Sequence, residues 1–495
     1  MEVLYKSTRG NGRTVTASQA ILKGLSDDGG LFVPTQIPQL DVPFAKLAEM
    51  DYKGVAYEVM SRFLSDFTAD ELKSCIDNAY DEKFDTAQIA PIEKADGVYF
   101  MELYHGQTIA FKDMALSILP HLMTVSAKKN SIKDEIVILT ATSGDTGKAA
   151  LAGFADVPNT KIIVFYPKGG VSRIQELQMV TQKGANTFVC GVKGNFDDCQ
   201  SAVKKMFNDP ALKALLAQGN YRFSSANSIN IGRLVPQVAY YVWAYSRLLA
   251  DGSIAAGEPV NFVVPTGNFG NILAGYYAKL MGLPVNKLIC ASNENKVLYD
   301  FFESGVYDRN REFILTSSPS MDILISSNLE RLIYRIVGES EEENRALMKD
   351  LSEKGIYELP QEAKGKLSDF VGAFAGEEEN FAGIKYLYEN NGYVIDTHTG
   401  VAYSVYKKYV SETGDTTPSV IVSTASPYKF TRAVMGAIDK KYENGDDFEL
   451  IKELNVLSKR PLPNAIKDIM NADIRHNTVC GVDELEKEVK GFLAL

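Results

Sequence analysis

Three glycine-rich or hydroxyl-rich turns follow apolar, strand-like runs, and each could bind an anion. They are SGDTG at residues 143–147, GNFGN at 267–271 and STASP at 423–427. A turn that opens a helix presents unpaired N–H groups and the positive end of the helix dipole, and glycine lets the backbone approach a ligand closely. Each turn taken alone could equally be an ordinary connection between a strand and a helix.

Two common nucleotide-binding motifs do not fit these turns. Thr142 stands where a P-loop needs glycine, and Ala149 follows Lys148 where it needs serine or threonine. The second turn lacks the full GxGxxG pattern, so a dinucleotide fingerprint is not supported. Because ligands gather at the carboxyl ends of parallel strands, the three turns could converge on one small phosphorylated ligand.

The elements that would position these turns alternate between short β-rich runs and helical stretches from about residue 98 onward. Such alternation predicts parallel sheets in an α/β architecture. Residues 1 to about 90 instead place apolar residues at helical spacing, and residues 300–380 are charged and helical. The predicted strands lie at 136–139, 161–166, 187–192, 260–264, 288–291, 393–395 and 419–422.

The division of the chain follows from these shifts in pattern. We predict an N-terminal domain at 1–95, a smaller α/β lobe at 96–235 and a larger α/β lobe at 236–495. The charged stretch at about 300–380 is expected to be a helical elaboration of the larger lobe. Its acidic run is typical of a solvated helix face.

Composition excludes several classes of function. Of the 495 residues, 45% are hydrophobic and 23% are charged, as in ordinary globular proteins. The net charge of −11, without a basic stripe, argues against a nucleic-acid partner, and the apolar runs are too short for a membrane span. The four histidines show no metal-binding spacing, so no metal is expected. Five scattered cysteines favour a reduced, cytoplasmic protein.

One lysine-containing segment adds a family resemblance. HGQTIAFKD at 105–113 resembles the HGPTxAFKD motif of threonine synthases, which belong to the fold-type II family of pyridoxal phosphate enzymes. The likeness departs at Gln107 and Thr397, where the family usually has proline, and we expect these changes to affect loop rigidity only. Further segments that resemble the family occur, in the family's order along the chain, at 23–34, 143–147, 227–233, 267–270, 320–331, 396–399 and 423–425.

The resemblance implies a tryptophan synthase β-like fold, with two open, mostly parallel α/β lobes and an N-terminal segment. It implies pyridoxal 5'-phosphate as cofactor, held as a Schiff base by the catalytic Lys112. The implied cofactor-binding residues are Lys112, Phe111, Gly267, Asn268, Phe269, Gly270, Asn271 and Thr424. The implied substrate-binding residues are Ser143, Gly144, Asp145, Thr146, Lys148, Ser228, Asn230 and Arg233.

Four further residues are weaker candidates for the site. Arg173 and Lys168 could help to hold a substrate phosphate. His398 either lines the site or has a structural role, and Asp113, beside Lys112, is expected to be structural.

The implied reaction converts O-phospho-L-homoserine and water to L-threonine and phosphate by a β,γ-replacement. A phospholyase and a serine or threonine ammonia-lyase are the enzymatic alternatives, and a catalytically silent binding protein on the same fold is the alternative from another class. The presence of Lys112 disfavours the silent protein, whereas only the products separate the synthase from a phospholyase. We expect a monomer or homodimer that acts on a small molecule.

Overall fold

The computed structural model describes residues 2–10, 12–142 and 144–495. Two main sheets, each flanked by helices, form two α/β lobes, and a helical N-terminal region packs beside them. Ser143, an expected substrate-binding residue, lies outside the described residues.

The strands of the described chain are β1 (Tyr5–Ser7), β2 (Phe32–Pro34), β3 (Ile92–Ala95), β4 (Val98–Glu102), β5 (Glu135–Ala141), β6 (Thr160–Pro167), β7 (Thr187–Lys193), β8 (Tyr221–Ser224), β9 (Val260–Pro265), β10 (Val285–Ser292), β11 (Val306–Asp308), β12 (Ile356–Glu358), β13 (Phe370–Phe374), β14 (Ser419–Ser423) and β15 (Thr478–Gly481). The α-helices are α1 (Ala17–Lys23), α2 (Phe44–Ala48), α3 (Tyr52–Phe63), α4 (Ala69–Ala79), α5 (Asp113–Leu116), α6 (Leu119–Lys129), α7 (Asp145–Phe154), α8 (Arg173–Val180), α9 (Phe196–Asn208), α10 (Pro210–Gln218), α11 (Ile231–Ala250), α12 (Gly270–Leu280), α13 (Val297–Ser304), α14 (Leu329–Ile336), α15 (Glu341–Glu353), α16 (Gln361–Gly365), α17 (Glu377–Asn391), α18 (Thr397–Thr413), α19 (Thr431–Ile438), α20 (Asp447–Ser458), α21 (Asn464–Met470) and α22 (Leu485–Leu493).

The larger sheet has the order β13-β10-β9-β14-β4-β3 and is parallel except for the β3–β4 pair. Its central strands β9 and β14 are buried along their whole length, which explains their near-continuous apolar sequences. The smaller sheet, β15-β7-β6-β5-β8, is parallel throughout. In both sheets the glycine- and hydroxyl-rich turns therefore follow the carboxyl ends of parallel strands.

Helix α11 is the central helix of the molecule. Nearly all of its residues are buried, and it packs against α3 of the N-terminal region and α12 of the larger lobe. A helix that is apolar on every side belongs in a protein core or a membrane. No helix of the described residues is long and apolar enough to cross a membrane.

Three strands, β3, β4 and β15, join a sheet outside the predicted segment of the chain that contains them. Strands β3 and β4 fall in the predicted N-terminal domain and smaller lobe, but they pair with the larger sheet. Strand β15, near the end of the predicted larger lobe, completes the smaller sheet. Strand β13, inside the predicted elaboration, is an edge strand of the larger sheet. The chain thus crosses between the lobes more often than a linear division allows.

Most predicted strands are present, but the strand predicted at 393–395 is wrong. These three apolar residues are buried in an irregular connection between α17 and α18. Their burial explains the apolar run without any strand pairing. In the two main sheets, strands β3, β4, β8, β13 and β15 were not predicted; all of them except β4 are short edge strands.

Candidate active site between the two lobes

Lys112 lies at the end of a tightly held loop that follows β4 and is the residue before helix α5. The loop is fixed by Asp113, whose carboxylate accepts hydrogen bonds from the Thr108 backbone N–H at 2.8 Å and hydroxyl at 2.6 Å. Gly106 is required here, because a Cβ atom would lie 2.6 Å from the Cβ of Asp113. Asp113 therefore has the structural role expected for it.

The third turn, at 423–427, lies directly beside the Lys112 loop. The Phe111 N–H donates to the Thr424 carbonyl at 2.8 Å, and the Ser426 N–H donates to the Ile109 carbonyl at 3.0 Å. Thr424 is buried, and the buried hydroxyl of Ser423 has no hydrogen-bond partner among the described residues. Phe111 and Thr424, two of the expected cofactor-binding residues, are thus joined through the backbone beside Lys112.

The first turn brings Asp145 to Lys112. Gly144, with φ of 134°, precedes α7, and Asp145 is the first residue of that helix. Asp145 Oδ2 lies 3.6 Å from Lys112 Nζ. The turn is held by Thr142, whose hydroxyl oxygen accepts the N–H groups of Gly144 at 3.0 Å and Gly147 at 2.9 Å.

Asp145 is contacted from both lobes. Gln175, in α8 of the smaller lobe, donates to Oδ1 at 2.9 Å. The Ser320 hydroxyl donates to Oδ2 at 3.1 Å, and Lys429 Nζ lies 3.2 Å from Oδ1. Lys429 follows β14 of the larger sheet, and Ser320 lies in the long connection between β10 and β13 of that sheet, so this carboxylate lies at the junction of the lobes.

Burial and charge together set the protonation of this centre. Burial lowers the pKa of the Lys112 amine, Asp145 opposes that effect, and Lys429 and Arg233 lower the pKa further. Burial alone would raise the pKa of Asp145, but Lys429 and Lys112 outweigh it and hold that pKa below its usual range. The centre therefore contains an ionised carboxylate beside an amine that loses its proton readily.

The second turn forms the start of helix α12. Phe269 takes a left-handed conformation with φ of 65°, and Gly267 is required because a Cβ would lie 2.3 Å from the Ser320 carbonyl oxygen. The Asn268 carbonyl accepts both the backbone N–H and the side-chain amide of Asn328 at 3.0 Å. The first N–H groups of α12, beginning at Gly270, have no partner within the helix.

The residues of this turn fit the phosphate of pyridoxal phosphate. Asn271 Oδ1 accepts hydrogen bonds from Tyr240 at 2.6 Å and Tyr241 at 2.8 Å, which fixes the amide orientation. The opposite atom, Asn271 Nδ2, is buried and has no partner among the described residues. An oriented donor without an acceptor, at a helix start, suits an anion.

Arg233 is the best placed of the expected cations for a second anion. It is buried, its Nη1 donates to the Ala226 carbonyl at 2.7 Å, and its Nε has no partner among the described residues. Burial lowers its pKa to about 10, so it stays charged at neutral pH. Ser228, on the same connection, lies 3.5 Å from the Asn328 side chain and so borders the second turn.

Two other expected substrate residues have their polar groups engaged by contacts within the protein. Asn230 caps α11: its amide oxygen accepts the Gly232 N–H at 2.9 Å, and its amide nitrogen donates to the Ile21 carbonyl at 3.0 Å. Lys148 donates to Gln182 at 2.5 Å, and burial lowers its pKa to about 8. Thr146 is half-buried at the start of α7.

The weaker candidates are engaged in other contacts. Lys168 pairs with Glu176, and the exposed Arg173 lies 3.3 Å from Asp446. His398 is buried, with Nδ1 2.7 Å from Asp396 and Nε2 accepting the Ser320 N–H at 3.1 Å. Both ring nitrogens are therefore occupied, which favours the structural role for His398.

Comparison with known proteins agrees with this geometry. A family model described as "Threonine synthase N terminus" matches residues 4–80, one described as "Pyridoxal-phosphate dependent enzyme" matches 85–425, and one described as "Threonine synthase, C-terminal" matches 399–489. The threonine synthase of Schizosaccharomyces pombe is 36% identical over 465 residues, covering 88% of this chain and 89% of that protein. The chain belongs to the threonine synthase family.

Two further relatives extend the comparison. The PLP-bound threonine synthase of Brucella melitensis superposes with a TM-score of 0.89 and 34% identity, covering all of both chains, which confirms the fold-type II architecture. "Threonine synthase-like 1" of Homo sapiens is 40% identical over 440 residues, covering 86% of this chain. The chain spans only 58% of the length of that relative.

Several residues of the site were not predicted from the sequence. Lys429 and Gln175 contact Asp145, and Asn328 contacts the second turn. Arg331 is buried, donates to Asn328 and also donates to the Phe32 carbonyl at 2.9 Å. Asn328 and Arg331 lie in one of the segments that resemble the family, so the segment was noticed but its role was not. Lys429 follows the third turn between two aromatic residues, and that context is its one sequence signal.

Proposed function

We propose that this protein is a threonine synthase that converts O-phospho-L-homoserine and water to L-threonine and phosphate. The observation that carries the proposal is the largely buried Lys112 amine at the meeting point of the turns at 144–147 and 423–427, with Arg233 nearby. Membership of the threonine synthase family supports the choice of reaction.

Lys112, Asn271 and the backbone at 267–271 would hold pyridoxal phosphate. The cofactor supplies an electron sink for the α-carbon of a bound amino acid. Asn271 Nδ2 and the N–H groups that open α12 are hydrogen-bond donors that would bind its anionic phosphate. Thr424 and Ser423 offer hydroxyl groups at the end of β14, which suit a neutral ring nitrogen better than a carboxylate would.

Lys112 would move protons during the reaction. Because burial and two neighbouring cations lower the pKa of its amine, the free amine can take a proton from the substrate α-carbon and return it at a later step. His398, the histidine near this centre, bonds through both ring nitrogens to Asp396 and Ser320, which leaves no ring nitrogen for proton transfer. One lysine would therefore serve several proton transfers.

Arg233 and Ser228 would hold the substrate phosphate. The unpartnered Nε of Arg233 is a charged donor in a buried setting, where a phosphate oxygen gives the strongest available hydrogen bond. Asn230 and Lys148 are less suited, because contacts within the protein engage them. The contacts that converge on Asp145 from both lobes would hold the lobes together and limit the entry of water.

A location in the cytoplasm is part of this proposal. The five cysteines are buried and form no disulfides, which is usual in a reducing compartment.

The experiment that tests this function identifies the products formed from O-phospho-L-homoserine. The proposal expects L-threonine and phosphate in equal amounts from the wild-type protein loaded with pyridoxal phosphate. It expects neither product from Lys112→Ala, and normal turnover from Lys183→Ala, which changes an exposed lysine. Phosphate with 2-oxobutyrate and ammonia as the main products would instead identify a phospholyase.

A further inference from the structure

Lys429 is a second lysine at the centre of the site, and the proposed reaction gives it no task. Its side chain is fully buried in the turn Pro427–Phe430. Its Nζ lies 3.2 Å from Asp145 Oδ1 and donates to the Thr108 carbonyl at 2.9 Å. A buried ammonium costs several kcal/mol unless it is paired, and the Asp145 carboxylate is the counterion that pairs with Lys429.

Asp145 is therefore shared between two lysines. Its Oδ1 faces Lys429, and its Oδ2 faces Lys112 at the longer distance of 3.6 Å. Gln175 donates a hydrogen bond to Oδ1 and Ser320 donates one to Oδ2, and together they fix the carboxylate between the two amines. Since one carboxylate cannot fully compensate two buried ammonium groups, the lysine at the longer distance is the one that gives up its proton.

The other charged groups around the centre do not offer Lys112 a second counterion. The Asp113 carboxylate is occupied by Thr108, and that of Asp396 by His398. The charged and titratable groups that act on this centre are Asp113 of α5, Lys148 of α7, Arg233 of α11 and His398 of α18; Asp468 of α21 acts on Lys148, and Asp396 pairs with His398.

We propose that Lys429 is a positioning residue that holds the Asp145 carboxylate and thereby keeps the Lys112 amine neutral. The proposal rests on the assignment of Lys112 as the cofactor lysine. Only a neutral amine has the lone pair that attacks the cofactor aldehyde; a carbon–nitrogen double bond forms, and the aldehyde oxygen leaves as water with the two amine protons. Lys429 would thus control how readily Lys112 is loaded.

The direction of the electrostatic effects agrees with this role. After burial, which lowers the pKa of Lys112 most, Asp145 raises that pKa and Lys429 lowers it. Without Lys429 the carboxylate would be left with Lys112 alone, and both effects would then favour the charged amine.

The test measures how the loading of Lys112 depends on pH. The full-length protein is stripped of cofactor and mixed with pyridoxal phosphate at a series of pH values. Each sample is reduced with borohydride, and mass spectrometry of the peptide containing Lys112 gives the labelled fraction. We expect Lys429→Met to load at least tenfold more slowly below the midpoint of its pH profile and to move that midpoint up by about one unit. Lys429→Arg, which keeps the charge, should stay close to the wild-type profile.

A second substitution separates this role from a structural one. In the double variant Lys429→Met, Asp145→Asn, the uncompensated carboxylate is gone, and the midpoint should return toward the wild-type value. A merely structural Lys429 would reduce loading equally at every pH, and the second substitution would not restore it. Either of those results would overturn the proposal.

Two outcomes keep the test informative if a variant behaves badly. If Lys429→Met does not fold, Asp145→Asn alone should move the midpoint downward, and an unchanged or raised midpoint would refute the role of Lys429. If the wild-type protein shows no label on Lys112 at any pH, the proposed function fails first. A wild-type protein that loads normally, with variants that show no shift, would contradict the Lys429 role alone.

Discussion

Asn271 shows how single atoms prepare the site for an anion. Two tyrosine hydroxyls, from Tyr240 and Tyr241, hold its amide oxygen and leave its amide nitrogen buried without an acceptor. An unsatisfied buried donor costs about 1–3 kcal/mol, so the protein spends stability to keep this group ready for a ligand. Arg233 Nε is a second such donor.

The substitution Asn271→Asp tests whether the Asn271 amide binds the cofactor phosphate. The carboxylate still accepts from the two tyrosines, but it replaces the donor with a negative charge beside the cofactor phosphate. We expect the dissociation constant for pyridoxal phosphate to rise about tenfold or more, because a hydrogen bond to a charged group contributes about 1.5–3 kcal/mol. The measurement is a cofactor titration of the stripped protein.

Asn390→Asp, at an exposed helical site, is the control and should bind normally. Unchanged affinity in Asn271→Asp would show that this amide does not face the phosphate.

At the scale of elements, strand β4 and the loop after it are anchored by an ionic cluster centred on the buried Glu102. Glu102, at the end of β4, accepts from Tyr393 at 2.8 Å and from Arg460 at 2.7 Å. His105 joins Glu102 to Asp85, with ring nitrogens 2.9 Å and 2.6 Å from their carboxylates. The cluster therefore fixes His105, the first residue of the stretch 105–112 that ends in Lys112.

The protonation of His105 predicts how stability depends on pH. Burial opposes its charge, but Asp85 and Glu102 outweigh burial and raise its pKa from 6.5 to about 9. This stabilisation, about 3 kcal/mol, is fully present below pH 6.5 and is lost as the pH rises through 9. We expect the thermal unfolding midpoint of the wild type to decrease as the pH is raised from 7 to 10, and that of His105→Gln to decrease less.

His121 supplies the matched control for this measurement. Burial lowers the pKa of His121, so it is already neutral at pH 7 and carries no charge to lose on the alkaline side. His121→Gln should therefore keep the wild-type pH dependence above pH 7. If the thermal midpoints of the wild type and of His105→Gln decreased equally between pH 7 and 10, His105 would not be held in its charged form.

The sequence predicted the strands and the turns better than it predicted which residues each side chain contacts. Apolar runs such as 260–264 and 419–422 gave buried parallel strands, because periodicity and β-branched content report burial directly. The roles of Asn230 and Lys148 depend on which segments pack against them, and no local pattern reports that. Lys429 lies 284 residues after Asp145, so only the folded chain brings them together.

At the scale of the whole molecule, the two lobes are interlocked by crossings of the chain. Strands β3 and β4 leave the N-terminal half to join the larger sheet, and β15 returns from the C-terminus to join the smaller one. Helix α22 then packs Leu485, Val489 and Leu493 into the apolar core of the smaller lobe. A linear division into domains misses this arrangement because strand pairing, and not chain order, defines each lobe.

Removal of residues 477–495 tests the contribution of the C-terminal strand and helix. Each of the three buried side chains of α22 contributes about 1.5–3 kcal/mol, and the deletion also leaves β7 as an unpaired edge. We expect amide hydrogen exchange in β6 and β7 to become much faster, while β9 and β10 of the larger sheet keep their protection. The larger sheet is the internal control, and equal loss of protection in both sheets would contradict a separate smaller lobe.

The most direct test of the central claim is the position of the cofactor on the chain. Lys112, Lys148 and Lys429 all lie around the same centre, and Lys112 alone is proposed to hold the cofactor. After borohydride reduction of the loaded wild-type protein, peptide mapping should find the pyridoxyl group on Lys112 and on neither of the other two. A label on Lys148 or Lys429, with Lys112 unmodified, would contradict the role proposed for Lys112.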